Sequence, residues 1–248
     1  MEIYWLEQLI PDVPLSDEWL SSSEQLILAG LKVPKRRADW RLGRWTAKRA
    51  VAEYLALLCV PKQLMAIEIR PAATGAPEVF LDQQPANVSI SLSHRAGTAA
   101  CAIVPSGSVV GCDLELVEPR ADEFISDYFT ATEQKCIAHV SPEQRDRLVT
   151  ILWSAKESAL KALRTGLRVD TRSVVAAIND SSGHMVQCDE TFGTLCASGS
   201  SDWYPLSVRY EESQVLSGWW QCTSKLARTA VSAPPASPPI PLSTLARR

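Results

Sequence analysis

Residues 109–120, VVGCDLELVEPR, and residues 153–164, WSAKESALKALR, decide how this chain is read. The first stretch opens on β-branched valines and stops at Pro119, which predicts a strand. Strand side chains alternate between faces, so Asp113 and Glu115 project to the same side, where both carboxylates can meet one hard cation. Magnesium favours such oxygen ligands and completes its shell with phosphate oxygens and water. Taken alone, the same pair also describes a solvated strand face. The second stretch has helical spacing: Trp153, Glu157, Lys161 and Arg164 follow one another at four, four and three residues and share a stripe. Trp153 and Leu160 anchor that stripe, while Glu157 and Lys161 point at a ligand and Glu157 supplies a third carboxylate. The plainer account is a surface Glu–Lys pair, worth ~0.3 to 0.5 kcal/mol.

Upstream, a helix is expected from about Pro34 to Leu58, rich in helix formers and stopped by Pro61. It carries Arg37, Arg41, Arg44 and Lys48 on a single stripe, where like charges repel unless an anionic partner is present. A solvated basic face is the alternative. VSISLSH and TAACAIV read as a hairpin turning at Arg95 to Gly97. Ser93 and His94, adjacent on a strand, face opposite ways and make a poor nucleophile and base, although His94 could donate to a phosphate. His139 and His184 have no partner spacing that suggests chemistry.

Downstream, helical pattern returns at ADEFISDYF, at TATEQKCIAHV with Thr130 as its cap, and from Glu143 to Leu163. SVVAAIND, TLCASG, PLSVRYEE and VLSGWWQC are strand candidates, so helices and strands mix in both halves. No residue-level repeat is evident. From about Thr223 the composition turns to Ala, Ser and Pro, and residues 223–248 are expected to be a disordered tail.

The 248 residues, 46% of them apolar, suffice for one large domain or two smaller ones. A net charge of -3 gives no general attraction to nucleic acid. Seven cysteines without a CxxC pair argue against a disulfide framework and a zinc site and read as reduced thiols. The start, MEIYWLEQLI, lacks a basic leader, and no apolar run approaches the roughly 20 residues that span a bilayer. A cytoplasmic protein without membrane association is expected.

GAPEVF, SISLSH, VVGCDLELVEPR, FTATEQ and WSAKESALKAL stand in the order and spacing found in the surfactin-type 4′-phosphopantetheinyl transferases, and the chain resembles that family over about residues 35–170. The hallmarks resemble (V/I)G-x-D-x-E and (F/W)-(S/C/T)-x-K-E-(A/S)-x-x-K. The resemblance implies an α/β (α+β) fold, a pseudo-dimer of two similar α/β subdomains with the active site in the cleft between them. Residues 1–107 would form the N-terminal subdomain and 108–222 the C-terminal one with the metal site. Asp113, Glu115 and Glu157 would bind Mg2+ together with the coenzyme A pyrophosphate. Lys161 would contact the phosphates, and Glu157 and Lys161 would be the catalytic pair. Arg44, Lys48, Ser93, His94 and Lys156 would also bind the coenzyme, Ser93 and His94 at its 3′-phosphate. Lys35 and Arg36 are looser candidates, and Glu133 would orient Lys156 or a metal-bound water. Relatives often carry Gly-Lys-Pro where this chain has Gly75, Ala76 and Pro77, so weaker coenzyme A binding, or a replacement cation such as Arg95, would follow.

The implied reaction is Mg-dependent transfer of 4′-phosphopantetheine from coenzyme A to a serine of an apo carrier protein, releasing 3′,5′-ADP, by a monomeric enzyme of the holo-acyl-carrier-protein synthase type. Phosphoryl transfer asks a protein mainly for positioning and electrostatics, which suits three carboxylates and several cations without a protein nucleophile. A metal-dependent phosphohydrolase and a non-catalytic carrier-binding module are the competing readings.

Overall fold

The computed structural model describes residues 1–179, 202–210 and 214–242, with backbone alone at 214 and 215. It has an α+β fold in two compact units, residues 2–110 with the chain end from 239, and Met1 with residues 111–238. The expected strand TLCASG lies outside the described residues. Among the described residues no helix is long and apolar enough to cross a membrane.

In the N-terminal unit β1 (Tyr4–Leu9) leads to α1 (Ser22–Gly30), α2 (Pro34–Tyr54) and α3 (Pro61–Ala66). Strands β2 (Ile67–Pro71), β3 (Pro77–Leu81), β4 (Gln84–Pro85), β5 (Val88–Arg95) and β6 (Thr98–Pro105) follow. Pro34 suits the first turn of α2, where its missing N–H has no helical partner to lose. The helix buries Trp45, Ala47, Ala50 and Val51 in a core shared with Trp19, Leu28, Ile90 and Ile103. β5 and β6 form the expected hairpin, with Ala96 and Gly97 both at positive φ, 51° and 79°. Such a turn matches the right-handed twist of the strands it joins.

The C-terminal unit opens on β7 (Val109–Leu116) and continues through α4 (Asp122–Tyr128), α5 (Ala131–His139) and α6 (Pro142–Ala162). It closes with β8 (Val174–Ile178), β9 (Tyr204–Tyr210), β10 (Gln214–Cys222) and β11 (Leu226–Ala233). Its sheet runs β7-β11-β10-β9-β8, so the first strand lies beside the last. In the N-terminal unit β1 likewise lies beside β6 and β6 beside β5, whereas β2, β3 and β4 form a separate three-stranded sheet.

Two expectations need correction. Most of the tail is ordered: Leu226 to Ala233 form an interior strand of the sheet, and β12 (Ile240–Pro241) pairs in parallel with β1. LARTAVSA has little apolar bulk, but α6 packs closely over it, and Ser154 and Ser158 hydrogen-bond the Thr229 hydroxyl at 2.8 and 2.7 Å. Small side chains are what let the helix come so near. The cysteines are not uniformly reduced: Cys59, Cys101, Cys112 and Cys222 are free, whereas Cys136 is disulfide-bonded.

Candidate active site

The site in the C-terminal unit begins with Gly111. A Cβ there would stand 1.7 Å from the Ser158 carbonyl oxygen, so only glycine lets β7 lie this close against α6. That approach brings the next strand residues under the last turns of the helix. Lys161 donates to the Cys112 carbonyl at 3.1 Å and to Asp113 Oδ1 at 2.7 Å, and its ammonium lies 3.9 Å from Glu157 Oε2. Carboxylates from a strand and from a helix thus share one cation. Asp113 is buried, while Glu157 and Lys161 are half-buried at the surface. Burial works against the Lys161 ammonium, but Asp113, Cys112 and Glu157 outweigh it and hold its pKa above the ordinary lysine value.

Glu115 lies on the same strand face as Asp113 and pairs at 3.3 Å with Arg120, which also meets Glu118 at 3.2 Å and stacks over Phe124. The stripe on α6 is seated as its spacing predicts: Trp153 is buried edge-on against Phe124 and Tyr128, with ring centroids 5.0 and 5.2 Å away, and Leu160 is buried. Among the described residues no three His, Cys, Asp or Glu side chains are gathered closely enough to form a ready-made metal cage. The donor set nevertheless suits a hard divalent cation. Asp113 and Glu157 already converge on one positive charge, Glu115 projects from the same strand face, and all are oxygen donors with a preference for such ions.

Lys156 does not reach a ligand. It is fully buried, and its ammonium is spent on Glu133 Oε2 at 2.9 Å and on the carbonyls of Thr171 and Val174. Glu133 in turn closes the capping box of α5 by accepting from the Thr130 N–H, and its other oxygen accepts from the Ala176 N–H at 2.9 Å. It orients Lys156 as a structural brace. Burial pulls Lys156 below the ordinary lysine value, against the opposing pull of Glu133.

Lys48 repeats that arrangement in the N-terminal unit and is likewise corrected. It is fully buried and bonded to Glu24 Oε2 at 2.5 Å and to the carbonyls of Trp19 and Leu64. Glu24 closes the capping box of α1 and accepts from the Ile69 N–H. Trp45-Thr46-Ala47-Lys48 and Trp153-Ser154-Ala155-Lys156 are therefore one motif used twice, which sequence reading missed because only four residues carry it. The basic stripe of α2 also has its anions inside the protein, since Arg37 and Arg41 pair with Asp17 at 3.7 and 2.8 Å.

Arg37 borders a hollow beside Asp17, and Arg44 lines a different cavity, of about 280 Å³, together with Ser93, His94, Trp40 and Arg70. Arg44 lies 3.8 Å from Glu24 and stacks over Trp40, and burial lowers its pKa against the pull of Glu24. Gly75 and Pro77 line the same cavity, whose lining cations are Arg44 and Arg70 and do not include Arg95. Lys35 and Arg36 border a neighbouring hollow that also touches His94.

The fold and this cluster define an α+β protein in which carboxylates of a strand and a helix meet one lysine. Residues 109–211 match the 4′-phosphopantetheinyl transferase superfamily. A 4′-phosphopantetheinyl transferase of Bacillus subtilis is 26% identical over 99 residues, 40% of this chain and 43% of that relative. The match therefore spans less than half the length of the relative. A holo-(acyl-carrier-protein) synthase from Bacillus anthracis, solved with CoA (3′,5′-ADP), is similar over 50% of this chain and 93% of its own at 16% identity and a TM-score of 0.37. The Helicobacter pylori holo-[acyl-carrier-protein] synthase, solved with coenzyme A, is similar over 42% of this chain and 99% of its own, at 23% identity and a TM-score of 0.33.

Proposed function

We propose that the chain transfers 4′-phosphopantetheine from coenzyme A to a serine of an apo carrier protein and releases 3′,5′-ADP. The observation that carries this reading is the convergence of Asp113, Glu157 and Lys161 within the stretch that matches the transferase superfamily. Asp113, Glu115 and Glu157 would hold Mg2+, which when bound neutralises charge on the diphosphate. Lys161 is placed to bind a phosphate oxygen through donors it now shares with Asp113. Glu157, half-buried beside it, would take the serine proton as the serine oxygen bonds to the β-phosphorus. The bond from that phosphorus to the bridging oxygen breaks, and its electron pair leaves on 3′,5′-ADP. In the N-terminal unit the cavity of Arg44, Arg70, Ser93 and His94 suits a phosphate, and we assign it the 3′-phosphate of the coenzyme.

Incubation with coenzyme A, Mg2+ and apo carrier domains, followed by intact mass, tests the proposal. A gain of one phosphopantetheine on the carrier is expected, with nucleotide release only when carrier is present. Release without carrier would instead favour a phosphohydrolase, and no change on several carriers would remove the transferase reading.

A further inference from the structure

Each assigned metal ligand already has a protein cation. Lys161 bonds to Asp113 at 2.7 Å and stands 3.9 Å from Glu157, and Arg120 pairs with Glu115 at 3.3 Å. Neither cation is loosely placed. Lys161 is also anchored by the Cys112 carbonyl, and Arg120 by Glu118 and the Phe124 ring. A divalent ion approaching Asp113 and Glu157 meets an ammonium between them, and like charges cannot share that position.

We infer that Lys161 and Arg120 are resident counter-cations that offset part of the charge of the carboxylate cluster and must yield before a divalent ion binds. The inference rests on Asp113, Glu115 and Glu157 being the ion's ligands, as assigned above. A diphosphate gives Lys161 a new anionic partner, so metal and diphosphate would enter together, and metal alone would bind weakly. Arg120, whose side chain is 21% exposed, would remain paired with Glu118 when it releases Glu115.

The test uses the full chain at neutral pH without coenzyme or carrier, with Mn2+ as probe and free Mn2+ read by electron paramagnetic resonance. Lys161→Met should bind Mn2+ at least about tenfold more tightly than the wild type, since a competing charge-assisted hydrogen bond is gone. Arg120→Met should bind a few-fold more tightly. Mn2+ should raise the melting temperature of Lys161→Met well beyond its effect on the wild type, because ligand binding stabilises the state that binds. Adding Asp113→Asn to Lys161→Met should erase the gain. Equal or weaker Mn2+ binding by the folded variants overturns the inference, and if Lys161→Met does not fold, Arg120→Met decides it. Because no transfer is measured, failure of the wild type to modify a carrier would remove the proposed activity and leave this result standing.

Discussion

Three lysines have two fates here, and what surrounds the ammonium decides each. Lys48 and Lys156 end in closed shells of one carboxylate and two carbonyls, whereas Lys161, about 1.4 helical turns beyond Lys156, ends half-buried between the buried Asp113 and the half-buried Glu157. Removing one partner of a buried ion pair strands the other. Lys156→Met should therefore cost ~3–5 kcal/mol of stability, read by urea unfolding, and the added change Glu133→Gln should recover part of it. Asp113→Asn keeps shape but loses charge, so transfer should fall at least ~100-fold in a mass-based assay while the far-UV circular dichroism is retained. Depressed lysines carry a sign as well: while protonated they weaken the fold, so the contributions of Lys48 and Lys156 to stability improve as pH rises toward the unfolded value of 10.5. Lys161, with its pKa raised, contributes fully below 10.5 and loses that contribution only as pH passes its folded value. Cys222 is pushed up to about 11 by burial, so at pH 8 iodoacetamide should label the exposed Cys59 and spare Cys222.

At the scale of elements, β7 and α6 were legible because each pattern reports one short-range rule. Alternation puts Asp113 and Glu115 on one side of the strand, and helical spacing puts Trp153 inside while Glu157 and Lys161 look out. What the sequence could not report was which lysines of a helix are enclosed by other segments. The carbonyls that bind Lys156 belong to Thr171 and Val174, and those that bind Lys48 belong to Trp19 and Leu64. Nor could composition recover β11, whose small residues matter through the helix packed on them. Gly111 belongs to this scale, since it sets the separation of strand and helix. Gly111→Ala forces a methyl group against the Ser158 backbone and should cost ~1–3 kcal/mol in thermal or urea unfolding. Transfer should fall further than stability, because Asp113 moves with the strand.

At the scale of the molecule, each unit carries the same lysine–glutamate brace, yet the surface pairs that follow it have opposite polarity. Following the shared Trp-(Ser/Thr)-Ala-Lys motif, the C-terminal unit presents Glu157 and Lys161, whereas the N-terminal unit presents Arg49 and Glu53, bonded at 2.7 Å. The carboxylate that would face a cation is replaced there by a guanidinium, so the repeated scaffold offers the acidic centre once. The N-terminal unit also depends on the far end of the chain. β12 covers the edge of β1 through the bond from the Ile240 N–H to the Ile3 carbonyl at 2.8 Å, and Leu242 is fully buried in that unit's core. Ending the chain at Pro238 would uncover the β1 edge and empty the Leu242 position, at a cost of at least about 2 kcal/mol. Hydrogen exchange should then speed up in β1 and β6, while the β8 to β11 amides keep their protection. Uniform acceleration across both sheets would mean that the strap stabilises the whole chain, and unchanged exchange in β1 would mean that β12 contributes nothing to the unit it covers.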